Sequence, residues 1–134
     1  MDEDIQPWLR YAESDMVSAE ALIRAGQELN AIFHLQQAAE KTLKALYIKQ
    51  KSSMPPRVHD LHKLAEECRL GLSRQQKLLL DDLTRSYTGS RYPESWEQPP
   101  EDITPEEAQQ LMALTREFLQ WLRQQLSILP WKKL

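Results

Sequence analysis

The feature that most limits what this chain can fold into is a helical spacing of apolar residues that runs through it with only short breaks. Ile5, Trp8, Leu9, Ala12, Met16, Ala19, Leu22 and Ile23 recur at steps of three and four, which gathers them on one stripe of a helix. Gly26, able to take a left-handed cap conformation, is expected to end it. In AIFHLQQAAEKTLKALYIKQ, Ile32, Leu35, Ala39, Leu43, Leu46 and Tyr47 fall within one broad arc, so a second long helix follows. The two prolines of KSSMPPR require an extended linker. HDLHKLAEECRLG then reads as a short third helix with Leu61, Leu64, Ala65 and Cys68 inward and Gly71 as its stop. Ser73 and Gln76 have capping-box spacing and open a fourth helix that buries Leu79, Leu80 and Leu83 until Gly89 and Pro93 end it. Thr104, Pro105 and Glu107 open a last helix through Leu111, Phe118, Leu122 and Leu126 to Pro130. Alternating β-branched runs are absent. The expected fold class is all-α: an up-and-down antiparallel bundle of four long helices plus a short one, with RYPESWEQPPEDI as a long crossover.

The remaining composition narrows the function classes. A chain of 134 residues fits a single domain, 1–134, with a core that needs neither disulfide nor metal. No run approaches the ~18 apolar residues of a membrane span, and the acidic start MDEDIQPWLR is unlike a signal peptide. A soluble, cytoplasmic protein without a membrane partner is expected. The lone Cys68 has no disulfide partner and reads as a small core residue. Three histidines give no zinc-ligand spacing, and three glycines leave no room for a phosphate loop or dinucleotide fingerprint, so no metal or cofactor is expected. Asp81-Asp82 and Glu106-Glu107 are sequence neighbours that diverge on a helix and imply no acid/base pair.

Net charge is −3, unevenly spread. Residues 1–30 hold seven acids and two bases, residues 31–92 six acids and eleven bases, and residues 93–134 seven acids and four bases. The basic middle fits an anionic partner; solvated helix faces also produce such blocks.

Two groups of residues stand out within that middle. Tyr92 precedes Pro93 and is biased out of the helical region, so SYTGSRYPESW must turn with Arg91 and Tyr92 held in a defined direction. Arginine offers a planar fork for phosphate and tyrosine a face for a base, which suits a nucleotide or single-stranded RNA. Alternatively Arg91 pairs with an acid of the bundle, while Tyr92 and Trp96 cover apolar surface. On the second helix, with Ile32 at zero, Gln36 and Glu40 lie near about 40° and 80°, and Lys44 and Gln37 near about 120° and 140°. These form a polar flank beside the apolar arc, with Arg91 a candidate partner for Glu40; Glu40 and Lys44 also have the spacing of a helix-stabilising pair. Lys41 and His34 lie further round and are expected to be solvated.

FHLQQAAEKTLKALYI, HDLHKL and RYPES, in that order, together with RYAESDMVSAEALI before them, resemble the HEPN domain, the small all-α nucleotide-binding domain of higher eukaryotes and prokaryotes, in its small stand-alone prokaryotic form with an RYP turn. The resemblance covers nearly the whole chain. It implies a helical bundle that forms a homodimer, an association with a small nucleotidyltransferase, a link to toxin–antitoxin modules and, in many branches, metal-independent RNA cleavage. The cleaving branches use an arginine followed four to six residues later by a histidine. Here Arg91 occupies the matching region, but His34, His59 and His62 all precede it. Arg57 and His62 have the required spacing within the HDL block, where Asp60 is expected to cap the third helix and His59 and His62 to be surface or boundary residues.

The leading expectation is therefore a non-catalytic or weakly active nucleotide- or RNA-binding module that partners a nucleotidyltransferase, with Arg91, Tyr92, Lys44, Gln37 and Glu40 at its site. A metal-independent ribonuclease built on Arg57 and His62 is the alternative. A third reading is a pure interaction module presenting Trp96, Trp121 and Trp131.

Overall fold

The computed structural model describes residues 2–91 and 102–128, the side chains of residues 2, 3, 86–91 and 128 excepted. Among the described residues five helices follow one another: α1 (Asp2–Arg24), α2 (Glu28–Lys51), α3 (Leu61–Glu67), α4 (Arg74–Arg91) and α5 (Pro105–Ile128). No strand occurs among the described residues. α2 is the axis of the bundle, packing against all four other helices. Its burial therefore exceeds the single arc expected: Ala31, Ala38, Ala45, Thr42 and Ile48 are buried besides Ile32, Leu35, Ala39, Leu43 and Leu46. Small residues on the extra faces let neighbouring helices approach from several sides. The Thr42 hydroxyl stays satisfied by donating to the Ala38 carbonyl one turn back, at 2.8 Å.

The helix boundaries follow from local chemistry. α1 closes in a Schellman motif: Gln27 N–H donates to Leu22 O at 2.8 Å, Gly26 N–H to Ile23 O at 3.1 Å, and Gly26 takes φ +74°. Asp60 caps α3 as expected, accepting from the N–H groups of His62 (3.0 Å) and Lys63 (3.2 Å). Both capping boxes form reciprocally. Ser73 N–H reaches Gln76 at 2.9 Å and Gln76 N–H reaches Ser73 at 3.1 Å; the Thr104 and Glu107 pair does the same at 3.0 and 3.1 Å. The Thr104 backbone N–H, with the Thr104 side chain, holds the exposed Glu107 carboxyl below its ordinary value. That box contributes most above the ordinary carboxylate range and fades as pH falls through the lowered value.

Two expected stops are corrected. α3 ends not at Gly71 but through Arg69, which takes the left-handed conformation at φ 55° while Arg69 N–H and Leu70 N–H bond the carbonyls of Glu66 (2.9 Å) and Ala65 (3.1 Å). The apolar stripe of α3 runs out at Cys68, three residues before the glycine, and the cap forms where the stripe ends. A side chain at φ 55° costs free energy that glycine avoids, so Arg69→Gly is expected to stabilise the fold by about 0.5–1 kcal/mol in urea denaturation. α4 continues through Gly89 to Arg91, because a glycine inside a helix costs only about 1 kcal/mol and does not break it. Pro93 lies outside the described residues.

Cys68 is buried, donating its thiol to the Leu43 carbonyl at 3.6 Å. Burial pushes its pKa from 9.0 up to about 12, Lys51 pulling it back and Glu67 adding to the rise. The unfolded chain loses this proton near 9 while the folded chain keeps it, so stability present below that pH is lost as pH rises towards 12. The advantage of the native chain over Cys68→Ala should shrink by about 1 kcal/mol per pH unit in that window, measured by denaturation at about pH 8 and about pH 10.5.

Candidate functional site

The polar flank of α2 forms a connected cluster centred on a buried carboxylate. Glu40 and Gln36 are buried. Gln36 Nε2 donates to Glu40 Oε1 at 3.2 Å and to the His59 carbonyl at 3.1 Å, and Gln37 Nε2 donates to Gln36 Oε1 at 2.8 Å. Lys44 Nζ donates to Glu40 Oε2 at 2.9 Å, and both side chains are nearly inaccessible, at 10% and 6% exposure. His59, from the linker into α3, places Nδ1 3.0 Å from Glu40 Oε1 and 3.1 Å from Oε2. A carboxylate only accepts, so this contact puts a proton on Nδ1. The Lys44 ammonium also lies 5.9 Å from the Trp8 ring centre, bringing α1 into the cluster.

Gln36, Gln37, Glu40 and Lys44 thus come together as their wheel positions indicate. His59 is the surface or boundary residue expected, its ring 60% exposed, and its nitrogen additionally holds the buried Glu40. Gln36 and Lys44 of the same helix already donate to Glu40, and the His59 N–H is a third donor that no single-helix pattern includes. Arg91 is the last residue of α4, with its side chain outside the described set, and Tyr92 and Trp96 lie outside the described residues.

Lys41 and His34 are corrected. Both reach α1, where the buried Asp15 takes Lys41 Nζ at 2.5 Å and His34 Nδ1 at 2.9 Å. The direction taken as solvent is where α1 packs, and an acid buried there requires cationic or N–H partners. Trp121 is likewise half-buried rather than a free interface residue, stacked on Phe118 with ring centres 6.0 Å apart; Trp131 lies outside the described residues.

His62, half-exposed on α3, donates from Nε2 to Asp81 of α4 at 2.7 Å, and Arg57 is exposed on the preceding linker. A carboxylate that fixes the imidazole tautomer leaves Nδ1 as the lone-pair nitrogen. No group of three or more His, Cys, Asp or Glu side chains able to hold a metal occurs among the described residues. Nor is any described helix long and apolar enough to cross a membrane.

A five-helix bundle whose axial helix carries a buried Gln-Glu-Lys cluster, closed by a histidine from an HDL segment, is the architecture of a small helical domain with a polar site beside its core. The HEPN domain model matches residues 5–125, and the chain belongs to the HEPN domain family. Among solved structures it is similar to TT1696 from Thermus thermophilus, with TM-score 0.75 and 22% identity over 92% of this chain and 98% of that one. It is also similar to ST0689, an archaeal HEPN homologue, with TM-score 0.72 and 26% identity over 91% of this chain and 97% of that one. A search of curated proteins finds no match.

Proposed function

We propose that this HEPN protein is a non-catalytic or weakly active nucleotide- or RNA-binding module, homodimeric, and the partner of a small nucleotidyltransferase in a toxin–antitoxin-like setting. The observation that carries the reading is the buried Gln36–Glu40–Lys44 cluster with His59. Burying an ion pair rarely stabilises a fold beyond what well-packed apolar residues would achieve, so its presence on the axial helix favours a role in recognition. In this reading Lys44 and Gln37 extend the polar wall, Arg91 holds a phosphate and Tyr92 stacks on a base. The basic middle segment supplies the accompanying field.

The test is incubation of purified protein with end-labelled RNA in a metal chelator, resolved on a denaturing gel, beside a binding titration across salt concentrations. Intact RNA is expected, bound with an affinity that falls linearly with salt on logarithmic axes and weakens in Arg91→Ala. Absence of binding at low salt would overturn the recognition role. One observation favours a second reading, the His62–Asp81 contact at 2.7 Å, since an oriented imidazole is suited to moving a proton from a ribose hydroxyl. Cleavage that disappears in His62→Ala and in Arg57→Ala would establish a metal-independent ribonuclease in place of the binding module.

A further inference from the structure

Where the first turns of α4 face the middle of α5, the two helices leave an open pocket of about 160 Å³. Its floor is apolar: Leu79 and Phe118 are buried and Leu114 is half-buried. Its rim is polar, with Ser73, Gln75 and Gln76 on the α4 side and Glu117 on α5. Ser73 and Gln76 are committed to the capping box that starts α4. Gln75 and Glu117 are exposed, and neither has a hydrogen-bond or ion-pair partner among the described residues. Glu117 is the one formal charge among the described residues that line the pocket. With Leu79 at zero on the α4 wheel, the cations Arg74 and Lys77 fall near about 220° and 160°, on the face turned away from it. One turn beyond Glu117 stands Trp121, half-buried, with one face of its indole stacked on Phe118 at 6.0 Å between ring centres.

We propose that this pocket seats an arginine side chain of a partner protein, its guanidinium on Glu117 beside the Trp121 indole and its methylene stem on Leu79, Leu114 and Phe118. The inference stands apart from the nucleotide or RNA reading, whose site on α2 uses none of these residues. Size, polarity and charge each point to that occupant. Small-molecule pockets begin near about 300 Å³, so a space of about 160 Å³ holds one side chain rather than a whole small ligand. An apolar floor with a carboxylate at its rim matches a side chain whose stem is apolar and whose head is cationic. A planar guanidinium pairs bidentately with a carboxylate and stacks on an aromatic face at once, which a lysine ammonium does not. Gln75 adds an amide oxygen for a further N–H. Arginine filling a pocket is also a common anchor of protein interfaces.

The experiment titrates the full chain with acetyl-Gly-Arg-Gly-amide and its lysine, citrulline and norleucine analogues, followed by nuclear magnetic resonance of the backbone amides. The arginine peptide is expected to shift the amides of Gln75, Leu79, Leu114 and Glu117 with a dissociation constant of about 1 mM, the range of a single anchor. The lysine peptide should bind about threefold more weakly, and the uncharged citrulline and norleucine peptides about tenfold or more. Glu117→Gln, at an exposed side chain, should weaken the arginine peptide by about tenfold and leave the urea midpoint unchanged. Glu66→Gln, at an exposed acid of α3, should leave binding intact. Shifts confined to other residues, or none at about 10 mM peptide, would overturn the pocket as a site. Equal binding of the citrulline peptide, or binding that survives Glu117→Gln, would overturn recognition by charge, and equal binding of the lysine peptide would overturn the assignment to arginine.

Discussion

Replacing Glu40 with alanine is expected to lower stability by about 3–5 kcal/mol in urea denaturation, the cost of leaving a buried cation without its counter-charge. The Lys44 ammonium is enclosed with Glu40, and Gln36 and His59 direct N–H groups at the same carboxylate. Lys44 loses its counter-charge in a place where water enters poorly, whereas Gln36 keeps the His59 carbonyl and the exposed His59 ring can turn to water. The converse change separates stability from function. Glu40→Leu combined with Lys44→Met removes both charges and keeps the volume, and is expected to restore most of the lost stability or exceed the native value. If the cluster serves recognition, that double variant folds and no longer binds RNA or nucleotide. If it instead binds as well as the native chain, the cluster has no part in recognition.

Leu43→Ala is expected to cost a comparable amount, about 2–5 kcal/mol, through a different mechanism. Leu43 is fully buried on the axial helix, and its carbonyl accepts the Cys68 thiol. Truncation removes buried apolar surface and leaves a cavity that surrounding helices can close only in part. A loss near the upper figure means that the bundle cannot collapse around α2; a loss under about 1 kcal/mol would mean that it can, contrary to packing from every side. Because the effects of Glu40→Ala and Leu43→Ala arise three residues apart on one helix, their sum in a double variant is not expected to be additive.

The sequence carried the helices and most of the core because both depend on spacing within a segment. The stripe Ile5, Leu9, Ala12, Met16, Ala19 and Ile23 is buried as a set, and Ser73–Gln76 and Thr104–Glu107 cap as their separations require. What lay hidden depended on the partner segment. A helical wheel places Lys41 and His34 opposite the apolar arc but holds no information that α1 lies there with Asp15. It marks Gln36, Glu40 and Lys44 as a flank, yet cannot reveal that His59, nineteen residues from Glu40, closes it. The stop of α3 at Arg69 escaped for another reason: a glycine two residues later satisfied the usual signal, while tertiary packing had already ended the helix.

The axial position of α2 has a consequence for how the molecule opens. Every other helix rests on it, so fraying or release of any one of them still leaves its amides enclosed by the remainder. Native-state hydrogen exchange should therefore rank α2 slowest, its protons exchanging only when the whole chain unfolds. The carboxylate at the centre of the candidate site sits on that last-opening segment, so a bound nucleotide would meet a wall that holds its shape while α3 and the outer helices breathe around it.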